Sequence, residues 1–271
     1  EVTVSPSTLT FTASAWPASQ TLAFTGVDDD VDDGNVVVDV TISVVDASSD
    51  DAYDTVGDKT LAITNLDDDT AGFTLSTTSV SVAETGTTDT FTVVLDSQPE
   101  GDVVIIAHLA DPADQDEAQV GAPLTFTSSN WDTPQTFTIT GQDDPDLDGE
   151  QQAIFTVRVD DDESHDGYDD VTDQTVTATT TDDDTAAFTL STTTASVTEA
   201  GSTATFTVVL DTQPTSDVVF TVASADTGEA TVSAATLTFT TANWNSAQTV
   251  TVTGVDDSID DGDQNTKNAI A

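Results

Sequence analysis

Cysteine is wholly missing from the 271 residues, and lysine and arginine together number three (Lys59, Arg158 and Lys267) against 51 aspartates and glutamates. The first absence excludes disulfides and thiolate metal sites, so any cross-link that stiffens the chain is of another kind. The second leaves a formal net charge of −48 and almost no basic partner for any carboxylate. Such a chain repels nucleic acid, whose binding depends on Lys and Arg meeting phosphate, and it repels anionic membranes for the same reason. Cations are the partners that remain. No apolar run approaches the roughly 20 residues of a spanning helix, so no membrane insertion is expected in this segment. Glu1 opens neither a signal peptide nor an initiator-methionine sequence, and the chain reads as a soluble slice of something longer.

What is present is a repeat. Asp67-Asp68-Asp69 returns as Asp182-Asp183-Asp184, 115 residues later, each time before Thr-Ala-Gly/Ala-Phe-Thr-Leu-Ser-Thr-Thr. Trp16, Trp131 and Trp244 each follow a Leu-Thr-Phe and lie 115 and then 113 residues apart. After each Trp comes an acidic loop between two glycines: Gly26 to Gly34, Gly141 to Gly149 and Gly254 to Gly262. Ser-Val-Ala-Glu84-Thr-Gly matches Ser-Val-Thr-Glu199-Ala-Gly, and Glu1-Val-Thr-Val-Ser matches Glu229-Ala-Thr-Val-Ser. Self-similarity at a fixed period decides the architecture. Residues 70–187 form one complete unit, 1–69 the C-terminal part of another and 188–271 the N-terminal part of a third. The stretch from Asp263 to Ala271 departs from the pattern.

Within a unit the period is two. Phe91, Val93 and Leu95 alternate with Thr90, Thr92 and Val94, and Phe137 and Ile139 alternate with Thr136, Thr138 and Thr140. Each run reads as a half-buried strand, and no stretch has the 3.6-residue period of an amphipathic helix. Runs of this kind punctuated by Gly, Pro and Asp predict an all-β fold of tandem antiparallel Greek-key, immunoglobulin-like sandwiches, each of about 115 residues. Trp131 is expected at the edge of the core.

The acids are not spread evenly. Glu84, Asp111, the group Asp143, Asp144, Asp148 and Glu150, and the triplet Asp182 to Asp184 all fall at strand ends or in loops, while outward strand positions carry Thr. A sandwich gathers its loops at two ends, so these motifs can meet. Carboxylates packed together raise one another's pKa and repel, and a hard divalent cation removes that cost. Calcium suits the set: it takes six to eight oxygens in flexible geometry, whereas magnesium demands a strict octahedron. Zinc would call for His or Cys, and neither His recurs between units.

These residues resemble the Calx-beta domains of sodium/calcium exchangers, integrin β4 and the tandem arrays of large bacterial surface proteins. The resemblance rests on Val-Ala-Glu84-Thr-Gly, on the Gly141 to Glu150 loop, and on Asp182-Asp183-Asp184-Thr-Ala-Ala-Phe. Asn-Trp-x-x-x-Gln-Thr-Val/Phe-Thr at Trp131 and Trp244 is most similar to the bacterial arrays. In calcium-binding members it implies ligands at Glu84, Asp111, Asp143, Asp144, Asp148, Asp182, Asp183 and Asp184. The loop that carries Asp111 also offers Asp114 and Asp116. In the third unit the same positions are Glu199, Asp226, Asp256, Asp257 and Asp261; in the first they are Asp28, Asp29, Asp33, Asp67, Asp68 and Asp69.

Catalysis finds no foothold. No Gly-x-Ser-x-Gly elbow is present, His108 and His165 do not recur, and Asp144-Pro-Asp146-Leu-Asp148-Gly149 imitates an EF-hand loop but has Phe155 at its twelfth position. The expectation is a non-enzymatic, calcium-stiffened stalk of a secreted or cell-surface adhesin or extracellular fibre. Its partners are calcium ions, neighbouring repeats and, by strand complementation, other copies. A regulatory calcium sensor and an accessory carbohydrate-binding module are the alternatives.

Overall fold

The computed structural model describes residues 2–258, 262 and 268–270, the last three as backbone only. The protein is all-β. The middle unit runs β5 (Phe73–Leu75), β6 (Ser79–Ala83), β7 (Thr88–Leu95), β8 (Val103–Leu109), β9 (Ala118–Val120), β10 (Leu124–Phe126), β11 (Gln135–Gly141), β12 (Gln151–Val159) and β13 (Gln174–Thr181), following β1 (Val2–Ser5), β2 (Ala23–Gly26), β3 (Val36–Ile42) and β4 (Lys59–Asn65) of the first unit. It forms two sheets, of order β10-β8-β12-β13-β6 and β5-β7-β11-β9.

The alternation of the sequence becomes the two faces of each sheet. In β7 and β11 the side chains of Phe91, Val93, Leu95, Phe137 and Ile139 are buried, with Thr90, Thr136 and Thr138 facing solvent. Phe91 lies directly opposite Phe137 across the ladder, ring centroids 5.3 Å apart, an aromatic pair of the kind that fixes strand register. Phe126, Phe155, Ile105, Val157 and Val176 close the core from the other sheet, and Trp131 packs partly buried against it. Each such aliphatic or aromatic side chain contributes about 1.5–3 kcal/mol on burial. Buried Tyr168 locks a loop to this core: its hydroxyl donates to the Ser97 carbonyl at 2.6 Å and pairs with Ser97 Oγ at 2.9 Å.

One pairing departs from the antiparallel rule. β6 runs parallel to β13, from Ser79 opposite Thr177 to Ala83 opposite Thr181. Parallel neighbours leave the sheet at the same end, so the residues that follow them, Glu84 and Asp182, emerge side by side.

The third unit runs β14 (Phe188–Leu190), β15 (Thr203–Leu210), β16 (Val218–Ser224), β17 (Ala230–Val232), β18 (Thr236–Phe239), β19 (Gln248–Gly254) and β20 (Asn268–Ile270). It has a core of its own around Phe206, Val208, Phe239 and Val250, with Trp244 partly buried against it. β20 pairs with β16, Val222 opposite Ile270, in the place that Val157 takes opposite Ala107 in the middle unit. The divergent tail thus keeps the backbone position of the strand it replaces. The first unit consists of the pairs β1-β2 and β3-β4, and its Trp16 is 71 % exposed. Among the described residues no first-unit counterparts of β5 to β8 stand beside it.

Candidate metal centre

Three local arrangements build the site in the middle unit. The parallel pairing extends by one bond past the strands, Glu84 N–H to the Thr181 carbonyl at 3.1 Å, which seats Glu84 against the triplet. Gly141 then brings the acidic loop alongside: a Cβ there would collide with the Ala83 carbonyl, so only glycine lets β11 end so close to Glu84. The third arrangement delivers Glu117, whose carbonyl accepts the Gln142 N–H at 3.0 Å and the buried Thr180 hydroxyl at 3.0 Å.

The triplet is shaped by its own first member. Asp182 accepts the Asp184 N–H on one oxygen at 2.7 Å and the Gly149 N–H on the other at 2.8 Å, pinning the end of the acidic loop to the end of β13. Gly149 has φ +80°, a left-handed conformation that side chains disfavour. Asp144 caps its own loop by accepting the Asp146 N–H at 2.7 Å. Glu84, Asp182 and Asp184 each place one carboxylate oxygen within 4.8 Å of the others.

Glu84 is only 1 % exposed, yet neither of its carboxylate oxygens has a hydrogen-bond partner. Glu117 Oε2, Asp146 Oδ1 and Asp184 Oδ2 are likewise buried and unpartnered. Burial, reinforced by Asp144 and Asp182, pushes Glu84 up to about 7. The Asp183 N–H leans towards it and offsets part of the rise without reaching hydrogen-bond geometry. Burial, then Asp148 and Asp144, does the same to Glu117, also to about 7. Asp144 and Asp184 are raised too, chiefly by burial and then by their acidic neighbours. Among the described residues no Lys or Arg pairs with this group; the one ion pair joins His165 to Glu100 at 3.8 Å. Buried oxygens without donors, packed so that each opposes the ionisation of the next, form a donor set for a cation.

Of the positions taken from the sequence, Glu84, Asp143, Asp144, Asp148, Asp182, Asp183 and Asp184 come together here, linked by these contacts and mutual repulsions. Asp111 takes a different post. It is exposed and accepts the Ala113 N–H at 2.9 Å, capping the 3-10 turn Pro112–Asp116. From this loop Glu117 bears on Asp144 and Asp148, and Asp116 bears on Asp144 as well. The signal for Glu117 lay in the repeat, since Glu1, Glu117 and Glu229 all stand immediately before a short strand.

The first unit repeats the geometry at its own end. Asp28, Asp29, Asp33, Asp67, Asp68 and Asp69 line one cleft. Asp67 accepts the Asp69 N–H at 2.9 Å and the Gly34 N–H at 2.6 Å, the same two bonds that Asp182 makes. The third unit presents these positions differently among its described residues. Glu199, Asp256 and Asp257 are exposed, and Asp226 accepts the Gly228 N–H at 2.9 Å within its own turn. Among the described residues no strand runs parallel beside Glu199, and that residue is exposed. Asp261 lies outside the described residues.

No family model matches the chain. No curated protein matches it either. Solved structures with a similar build include CBD12 from CALX1.2 (15% identity, 74% of this chain and 80% of that one, TM-score 0.32). The calcium binding domain CBD12 of CALX1.1 is another (17% identity, 69% and 76%, TM-score 0.28). Domains 1–6 of surface layer protein SbsC are a third (15% identity, 82% of this chain and 25% of that one, TM-score 0.30). Values of this size carry no argument about function, which rests on the residues of the chain itself. Among the described residues no helix is long and apolar enough to cross a membrane.

Proposed function

We propose that this chain is a non-catalytic, calcium-binding structural stretch of an extracellular or cell-surface protein, an adhesin or fibre, in which ions at the sandwich ends stiffen the seams between units. The observation that carries the reading is Glu84: a fully buried carboxylate with both oxygens unpartnered, facing Asp182 and Asp184. An acid in that setting is stable when it is protonated or when it is bound to a cation.

The donors are all hard oxygens, which favours calcium or magnesium over a transition metal. Calcium fits better, since Glu84, Glu117, Asp144, Asp146, Asp182 and Asp184 come from four separate segments, and their carboxylates satisfy a flexible shell more readily than a rigid octahedron. Extracellular calcium modules bind at about 10⁻⁴ to 10⁻³ M, which keeps them loaded in calcium-rich surroundings. The placement of the loops at the seams gives the ion a structural role, because the triplet Asp182 to Asp184 is followed within a few residues by β14.

Native mass spectrometry with and without calcium, paired with small-angle scattering and thermal melting in EDTA, tests this. The expected result is a defined number of retained ions, a lower melting temperature on chelation and a change in the scattering profile. A chain that retains no ion and has the same melt and profile in millimolar calcium as in EDTA would overturn the reading.

A further inference from the structure

Two contacts between units, 115 residues apart, are the same contact made twice. In the first seam the Gln98 N–H donates to the Asp30 carbonyl at 2.6 Å; in the second the Gln213 N–H donates to the Pro145 carbonyl at 2.7 Å. Asp30 and Pro145 occupy the same place in their loops, each directly after the acid pair Asp28-Asp29 or Asp143-Asp144. Gln98 and Gln213 occupy the same turn, Asp96-Ser97-Gln98-Pro99 and Asp211-Thr212-Gln213-Pro214.

The turn is held rigid by its own unit. Ser97 is buried beneath Tyr168, and Thr212 is buried in the corresponding place. The Gln98 side chain donates to the Ser128 carbonyl at 2.8 Å, while the Gln213 side chain accepts the Trp244 indole N–H at 2.8 Å. Proline after each Gln disfavours helical backbone at that Gln and leaves it extended. An extended residue points its N–H and C=O to the same side, so one Gln can engage a neighbouring strand in both directions. Gln213 does so: beyond its bond to Pro145, its carbonyl faces the Leu147 N–H at 3.4 Å, and Asp146 and Gln213 form a parallel bridge. In the first seam the second link is a side chain, Asp32 accepting the Ala71 N–H at 2.8 Å.

We infer that the Ser/Thr-Gln-Pro turn is a socket that takes the acidic loop of the preceding unit, and that Gln98 and Gln213 set the angle between consecutive units. The partner it fits is a unit of the same kind, recognised by a loop carbonyl. The inference rests on reading the chain as tandem structural units but not on which ion the loop binds. Asp146 joins the two ideas physically: its backbone bridges Gln213, and its carboxylate bears on Asp144 and Asp184.

The absence of cysteine allows a clean test in the full chain. Spin labels at Thr138→Cys and Thr238→Cys, both exposed and on either side of the second seam, report the distance between the units. The reference protein is expected to give one narrow distance peak in calcium; Gln213→Ala, which keeps the backbone bonds but frees the turn from its side-chain anchor to Trp244, is expected to broaden it, and Gln213→Glu, which keeps an acceptor for Trp244, to retain it. Gln98→Ala, at the other seam, is expected to leave this peak intact. Leu147→Pro removes an N–H from the opposite side of the seam without touching the third unit, and is also expected to broaden the peak. A narrow peak in both Gln213→Ala and Leu147→Pro overturns the socket, even where EDTA broadens the reference protein. A broad peak in Gln213→Ala at unchanged calcium stoichiometry upholds it, even where EDTA has no effect and the ion reading falls.

Discussion

Replacing Glu84 by glutamine is expected to stabilise the calcium-free protein and weaken the calcium-bound one. Burial and the acids around it raise Glu84 from 4.5 to about 7, so at pH 8 folding has to ionise a group that resists ionisation. A rise of that size corresponds to about 3 kcal/mol, at about 1.4 kcal/mol per pH unit. The folded protein holds the proton more tightly than the unfolded one, so this carboxyl leaves stability intact below about pH 4.5 and subtracts from it as pH rises to about 7. Glutamine has nearly the same shape and bears a burial cost similar to that of the neutral acid. The amide therefore recovers up to about 3 kcal/mol at pH 8, or about 10 °C in melting temperature for a unit of this size, and nothing at pH 4. In calcium the sign reverses, because a ligand charge is gone. Melting curves of both proteins in EDTA and in calcium, at pH 8 and pH 4, read all four corners. A Gln variant less stable than the parent in EDTA at pH 8 would refute the reasoning, since it would make Glu84 a satisfied structural carboxylate.

Calcium binding is expected to expel protons. With Glu84 and Glu117 both near 7, loading at pH 7 releases about one proton, and affinity falls about 100-fold between pH 8 and pH 6; calorimetry in two buffers of different ionisation enthalpy would give equal heats if no proton left. Gly141→Ala drives a Cβ into the Ala83 carbonyl and is expected to cost about 1–3 kcal/mol and to weaken calcium binding. Gly121→Ala, where the nearest backbone atom is 3.7 Å away, is the control, and equal urea midpoints for the two would count against the close approach. Tyr168→Phe strands the Ser97 carbonyl and hydroxyl inside the unit and is expected to cost about 1–3 kcal/mol in urea denaturation, with calcium stoichiometry unchanged.

Alternation made the strands readable. Phe91, Val93, Leu95, Phe137 and Ile139 are buried as their period of two implies, because a half-buried strand writes its facing directly into the chain. Strand partnership is not written there. Nothing in Ser79–Ala83 or Gln174–Thr181 announces that they run parallel, yet that pairing is what sets Glu84 beside Asp182. Recurrence located the acid loops, but recurrence alone cannot separate a carboxylate that caps a turn from one that faces a cluster. Asp111 and Glu117 differ in this way, and the difference depends on the 3-10 turn between them. Trp131 packs against the core as expected, whereas its equivalent Trp16 is exposed, so equivalence in the repeat does not fix burial. Gln98 and Gln213 recur as plainly as the acids do. A Gln-Pro turn nevertheless reads as punctuation until the loop lying on it is seen.

Asp89 and Glu84, five residues apart, show how a chain of net charge −48 divides its acids. Asp89 accepts the Ser81 N–H at 3.0 Å and the Thr90 N–H at 2.8 Å, and those donors hold its carboxyl below the usual range. Asp50, Asp67, Asp111 and Asp182 also accept backbone N–H groups. Asp89, with both oxygens so occupied, needs nothing from outside. Glu84, Glu117 and Asp184 have buried oxygens unpartnered, and three basic residues in the whole chain are too few to neutralise them. The compensating charge therefore comes from the medium or from protons. Because the donor-capped acids hold turns while the unpartnered ones gather beside loops that touch the next unit, chelation is expected to loosen the seams before the Phe- and Val-filled cores, and hydrogen exchange that rises equally in both on adding EDTA would count against this.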